Sequence, residues 1–324
     1  MNRLFLNSII FLTVALILGL AIGAGGFRVD SDIIWSIRGP RVLTAAFAGA
    51  ATAAAGALSQ SLFRNSLATP SVIGTEAGAS FALAFASLIL STQDSLLEAP
   101  AVYSTVGAAL ATLASISLVS ASVSSGKIQA SGSPDSTPQL LLGGFALNAL
   151  LASGTALCIS VLMERGTGLS LYHWLMGSFT ARTWSDALGI MAGFVLCIIP
   201  SWFLAPTVDV MSVGNDTARS LGINVKGSYV KTLILIAVLI GSAISCAGAL
   251  PFIGLVAPHM ARVLSKPQLR SVLVLSSIFG ATLTVLADLA ARTVRAPVDM
   301  DVGIITTLIG APYFLWLLRR REVA

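Results

Sequence analysis

Four arginines, two acids and one polar stretch are the residues of this chain whose types and spacing could do chemistry. Arg38 and Arg41 stand in Arg38-Gly39-Pro40-Arg41, and Arg292 and Arg295 just precede Ala296-Pro297. A guanidinium is a planar fork of donors that matches a carboxylate bidentately. An exposed group of four would therefore receive an acidic partner surface. Taken singly, each also reads as a side chain snorkelling from a helix end to the interface. Glu76 and Asp288 lie at or within apolar runs, where carboxylates are costly and hence functional candidates. Asp288 comes four residues before Arg292, a spacing that puts both on one helix face as an internal pair. The polar stretch is Gly214-Asn215-Asp216-Thr217-Ala218-Arg219-Ser220-Leu221-Gly222. Asn215 or Asp216 can cap one or two helical turns there, and Gly222 can end them in the left-handed conformation. Thr217, Arg219 and Ser220 would then be exposed. A rigid helical loop is what a membrane protein needs to take force from a soluble motor; the plain alternative is a simple connection.

Groups for catalysis within the chain are missing. There is no G-x-x-x-x-G-K-[ST] phosphate loop, since Gly126-Lys127 is followed by Ile128 and lacks the earlier glycine. There is no H-E-x-x-H pair, and His173 and His259 read as structural. Cys158, Cys197 and Cys246 each sit in an apolar run without metal-type spacing, as small buried side chains. No cofactor is expected in this chain.

The elements that must position these residues are set by composition. Of the 324 residues, 56% are hydrophobic and 10% charged, with a mean hydropathy of +0.89. Soluble proteins carry about 25% charged residues, so this composition cannot cover a water-facing surface and describes an all-α integral membrane protein. Apolar runs of about 20 residues cross a bilayer. The candidates are Phe5–Ala24, Val42–Phe63, Val72–Leu90, Val102–Val119, Leu140–Leu162, Ala187–Leu204, Thr232–Ala249, Phe252–Val263, Val272–Ala291 and Val302–Leu318, ten in all. Phe252–Val263 is too short for a full span, and so must be broken, tilted or sheltered by neighbours. The first run, preceded by Arg3, resembles a signal peptide but is longer than the usual apolar region and is retained as a helix. With both termini on the cytoplasmic side, that side receives twelve of the nineteen basic residues, the bias expected of an inner face. The net charge of +5 is therefore an orientation signal, and nucleic acid is not an expected partner; membrane lipid is. Ala45, Gly49, Ala53 and Ala57 recur at every fourth position, which gives one helix face on which a neighbouring backbone can come close. Ser122 to Pro138 reads as a loop, and residues 1–324 as one transmembrane domain.

Several strings, in order along most of the chain, resemble the permease subunits of ATP-binding-cassette importers for iron–siderophore, haem and cobalamin complexes. They include Arg38-Gly39-Pro40-Arg41, Gly56-Ala57-Leu58-Ser59-Gln60, Leu62-Phe63-Arg64-Asn65-Ser66-Leu67-Ala68 and Trp174-Leu175-Met176-Gly177-Ser178. Ala218-Arg219-Ser220-Leu221-Gly222, Gly254-Leu255-Val256-Ala257-Pro258-His259, Ala287-Asp288-Leu289-Ala290-Ala291-Arg292 and Gly310-Ala311-Pro312-Tyr313-Phe314 complete the set. The family has Pro where this chain has Ser66. The resemblance implies a type II importer architecture with ten helices per subunit, in a homodimer or a heterodimer with a related permease. It implies two ABC ATPase subunits, which bind ATP and magnesium, and an extracytoplasmic substrate-binding protein. It places ATPase coupling on Gly214–Gly222, within a loop of about 213–226, and binding-protein docking on Arg38, Arg41 and Arg292; Arg295 is added on chemistry alone. It places an inner gate around Thr137 and Pro138. The expected location is a bacterial cytoplasmic membrane. A proton- or sodium-coupled secondary transporter using Glu76 and Asp288 is the alternative from another class.

Overall fold

A computed structural model describes residues 2–23, 25–27, 30–90, 100–124 and 136–321. Each of the ten apolar runs forms a helix. They are α1 (Asn2–Ala21), α3 (Gly39–Leu62), α4 (Thr75–Leu90), α5 (Pro100–Ser124), α6 (Ser136–Glu164), α8 (Trp184–Val213), α10 (Val225–Ala247), α11 (Ile253–Leu264), α12 (Leu269–Thr293) and α13 (Val302–Arg321). Between them lie α2 (Ser31–Ile33), which runs through a π-helical turn (Ile34–Arg38) into α3, and the short helices α7 (Gly168–Leu175) and α9 (Asn215–Ser220). A two-residue hairpin, β1 (Ile22–Gly23) against β2 (Gly26–Phe27), follows α1. Among the described residues, six helices are long and apolar enough to cross a membrane, and four shorter apolar ones complete the ten.

Local chemistry accounts for some of the helix starts. Thr183 and Asp186 form a reciprocal capping box at the start of α8, and the Asn224 side chain accepts from Gly227 N at the start of α10. Thr137 and Pro138, read as loop, lie instead in the first helical turn of α6, where a proline is tolerated because its missing N–H would have no partner.

The middle of the bundle is α3, buried along nearly its whole length and packed against α12, α10, α8 and α11. Small residues allow this. Ala45, Ala53 and Ala57 are fully buried. A Cβ on Gly49 would strike the Gly280 carbonyl and Thr284, and one on Gly280 would strike Gly49 and Ala53. Farther along, a Cβ on Gly56 would overlap the Gly254 backbone of α11. Gly78 and Gly107 make the same close approach between α4 and α5. Without water to drive association in lipid, backbone proximity of this kind is what holds helices together.

The twelve-residue α11 reaches about 18 Å at 1.5 Å per residue, short of a bilayer core of about 30 Å. It is sheltered as its length requires, between α3 and α12. The stretch Leu175–Ser178, at the end of α7, is tied to other elements through backbone hydrogen bonds. Ser178 N donates to Ala247 O at 3.1 Å, Ala249 N to Leu175 O at 3.2 Å, Val302 N to Gly177 O at 2.7 Å and Gly303 N to Met176 O at 3.2 Å. Leu175–Ser178 thus joins the end of α10 to the start of α13, satisfying polar groups that lipid would leave unpaired. Gly177 (φ +90) and Gly248 (φ +69) are left-handed there, and a side chain on either would meet the facing backbone.

Candidate functional site

The four arginines come together at one end of the bundle, but three of them face inward. Arg38 is 6% exposed and Arg292 3%. Arg38 Nη1 donates to the Leu20 and Ala21 carbonyls at 2.9 and 2.8 Å, and Arg292 Nη2 donates to Gly19 O at 2.9 Å. These are last-turn carbonyls of α1, which lack intrahelical partners and carry the negative end of its dipole. Two arginines from α12 and the turn before α3 therefore cap α1. Arg41 Nη2 lies 2.8 Å from Asp288 Oδ1, its Nε donates to the same oxygen at 2.9 Å, and its Nη1 lies 2.7 Å from Asp299 Oδ2. Asp288 is fully buried, with Arg292 Nε 3.5 Å from its second oxygen.

The expectation of an exposed patch built from Arg38, Arg41, Arg292 and Arg295 is corrected accordingly. Burial and internal acceptors take the first three, and Arg295 alone of the four is exposed. The sequence held the Asp288–Arg292 spacing. It gave no sign of Asp299 or of the α1 carbonyls as acceptors, because these partners are remote in sequence.

Asp299 also accepts from Thr180 Oγ1 at 3.0 Å, and Asp301 lies 3.2 Å from His173 Nδ1. The segment between α12 and α13 is thus fastened to α7 through His173 and to the stretch after α7 through Thr180. There Arg182 lies 5.0 Å from the Trp174 ring centroid. Burial pulls its pKa down while neighbouring Asp186 works in the opposite sense.

At the other end, α8 stops at Val213 and Gly214 is extended (φ 174, ψ 142) before α9. Gly222 N donates to Arg219 O, and Ile223 N to Ala218 O. That pairing is a Schellman stop, with Gly222 left-handed at φ +78. Neither Asn215 nor Asp216 caps α9; Gly214 occupies the cap position without a side-chain bond. The Asn215 side chain instead accepts from Arg64 Nη2 at 2.7 Å, and the same nitrogen donates to Met211 O at 2.6 Å. Ala218 is buried under α9, while Asp216, Thr217, Arg219, Ser220, Leu221 and Gly222 are exposed. Arg219 and Asp216 form a solvent-facing pair at 3.3 Å.

Glu76 sits partly exposed in the first turn of α4, where a negative charge suits the helix dipole. It makes no ion pair among the described residues. It is far in sequence from the Asp288 cluster and takes no part in it. Thr137 and Pro138 are placed as helix only, their side chains lying outside the described residues.

Comparisons with known proteins match the chain along nearly its whole length. The model of the FecCD transport family matches residues 4–320. The chain is 36% identical to the hemin transport system permease HmuU of Yersinia pestis, over 99% of this chain and 97% of that one. It is 32% identical to the Fe(3+)-citrate import permease YfmD of Bacillus subtilis, over 98% and 94%. It is 33% identical to the vitamin B12 import permease BtuC of Vibrio cholerae, over 91% and 85%. Among solved structures, an inward-facing transporter assigned to the metal-chelate ABC type superposes with a TM-score of 0.83 at 25% identity, covering 99% of this chain and all of that one. The chain belongs to the FecCD transport family, and is an ABC-transporter permease.

Proposed function

We propose that the chain is the translocation subunit of an ATP-driven importer that carries a ferric-siderophore-type chelate across the bacterial cytoplasmic membrane by alternating access. Haem and cobalamin are the other cargoes the family resemblance allows. Hemin, iron(III) citrate and vitamin B12, in the relatives' names, are all metals held by organic ligands, and this supports a metal chelate as the substrate class. Two permease copies, identical or related, would enclose the pathway. Two copies of a separate ATPase would bind ATP and magnesium, and an extracytoplasmic binding protein would deliver the chelate.

The observation that carries the reading is α9. It is a short, firmly stopped helix with Ala218 packed inward and Thr217, Arg219 and Ser220 facing out. Such a helix moves as a unit when a partner presses on it, and Gly214 leaves its joint with α8 free of a side chain. Both termini would be cytoplasmic, on the α9 side, with the arginine corner outside. Thr137 and Pro138, at the start of α6, would stand beside the inner gate. Docking outside would fall chiefly on Arg295, since Arg38, Arg41 and Arg292 have internal partners. The secondary-transporter reading loses ground because Asp288 is held between two guanidinium groups and is poorly placed to relay protons.

Two charge reversals test the two ends in one reconstituted complex. Arg219→Glu should lower the amount of chelate imported per ATP by roughly tenfold, a typical coupling free energy between sites. Arg295→Glu should weaken binding-protein docking by about tenfold through like-charge repulsion while sparing ATPase assembly. Full transport by the first variant would remove α9 as the coupling element; unchanged docking by the second would remove Arg295.

A further inference from the structure

Arg64 occupies a position that its backbone does not explain. Asn65 N donates to Gln60 O at 3.1 Å and Arg64 N to Ser61 O at 3.3 Å, so α3 also ends in a Schellman turn. Arg64 is its left-handed residue, at φ +52. Glycine is the usual occupant of that place, because a Cβ is disfavoured there. The side chain must therefore supply what glycine cannot.

What it reaches is the joint between α8 and α9. One nitrogen, Nη2, donates to Met211 O on the α8 side of Gly214 and to Asn215 Oδ1 on the α9 side. A guanidinium nitrogen has two hydrogens, so both bonds can form at once, and both are charge-assisted. Met211 O belongs to the last turn of α8, where a cation is also favoured by the dipole. The same last turn of α3 is gripped from its other side. Arg262 of α11 donates through Nη2 to Ser61 Oγ at 2.8 Å and through Nε to Gln60 Oε1 at 3.2 Å. Contacts thus run without a break from α9 through Arg64 to α3, and on to α11.

We propose that Arg64 is a positioning residue: a strut that fixes the α8–α9 angle and passes displacement of α9 to the central helix α3. This rests on the coupling role given to α9 above. Hydrogen–deuterium exchange of the purified complex, with and without ATP and vanadate, tests it. Arg64→Gly is the informative variant, since glycine suits the turn and removes only the side chain.

Without nucleotide, R64G should exchange across residues 212–222 about tenfold faster than wild type, as expected for losing charge-assisted bonds. With nucleotide, wild type should respond in both 212–222 and 63–69, whereas R64G should respond only in 212–222. R64K should restore part of the response in 63–69. A merely structural role would instead accelerate exchange through the body of α3, or lower the melting temperature, and leave the nucleotide response of 63–69 in place. Equal exchange in 212–222 for R64G and wild type, or an equal nucleotide response in 63–69, would overturn the strut. If the coupling role of α9 is wrong, neither segment responds to nucleotide even in wild type, yet the comparison without nucleotide still decides whether Arg64 braces the joint.

Discussion

Asp288→Asn is expected to destabilise the purified protein by about 3–5 kcal/mol, the cost of removing one partner from a buried charge cluster. Asp288 is fully buried beside Arg41 and Arg292, whose side chains are 11% and 3% exposed. With an amide in its place, Arg41 keeps Asp299 at 2.7 Å, whereas Arg292 keeps the Gly19 carbonyl and loses the adjoining acid that balances its buried charge. Asp299→Asn should cost about 1 kcal/mol or less, because Asp299 is 27% exposed and water can replace it. Thermal unfolding in detergent measures both. Replacing Asp288 and Arg292 together by apolar residues should recover part of the loss, as apolar substitution of whole buried pairs does. A D288N variant that melts like wild type would contradict this account of the corner. So would a double variant no more stable than the single one.

Gly56→Val is expected to cost about 3 kcal/mol or more and to reduce the yield of folded protein, at the upper end of overpacking penalties. An added Cβ meets the carbonyl, carbonyl carbon and Cα of Gly254, so backbone rather than a movable side chain would have to yield. The control is Gly189→Ala in α8, where nothing lies within 4 Å of an added Cβ. That change should be neutral, or stabilising by roughly the 0.5–1 kcal/mol that separates alanine from glycine in a helix. Folded yield and melting temperature of the two variants give the comparison. Equal behaviour would mean that α3 and α11 do not rely on backbone contact.

These two predictions also mark what can be read from sequence. The helix-forming runs are local signals, and the four-residue recurrence of Ala45, Gly49, Ala53 and Ala57 identifies a face for close packing before any neighbour is known. The structure supplies the neighbours, α12 against Gly49 and α11 against Gly56. The stop at Gly222 is equally local, since a Schellman turn asks for glycine at one position. The arginine corner is not local. Arg38 and Arg292 are satisfied by carbonyls of α1, and a carbonyl has no letter in the sequence to mark it as an acceptor. The tie of Leu175–Ser178 to α10 and α13 is hidden for the same reason, being made of backbone. Arg64 was visible only as part of a string; its left-handed backbone and its reach across Gly214 needed coordinates.

In the proposed mechanism this chain is moved by a separate ATPase acting on α9. The most direct measurement is to purify the tagged chain from its native membrane in mild detergent and to count its companions by mass spectrometry. An ABC ATPase subunit present in equal copies is the predicted result. A chain that comes out repeatedly alone and stable would contradict it, and would make Glu76 and Asp288 the residues to mutate for ion coupling.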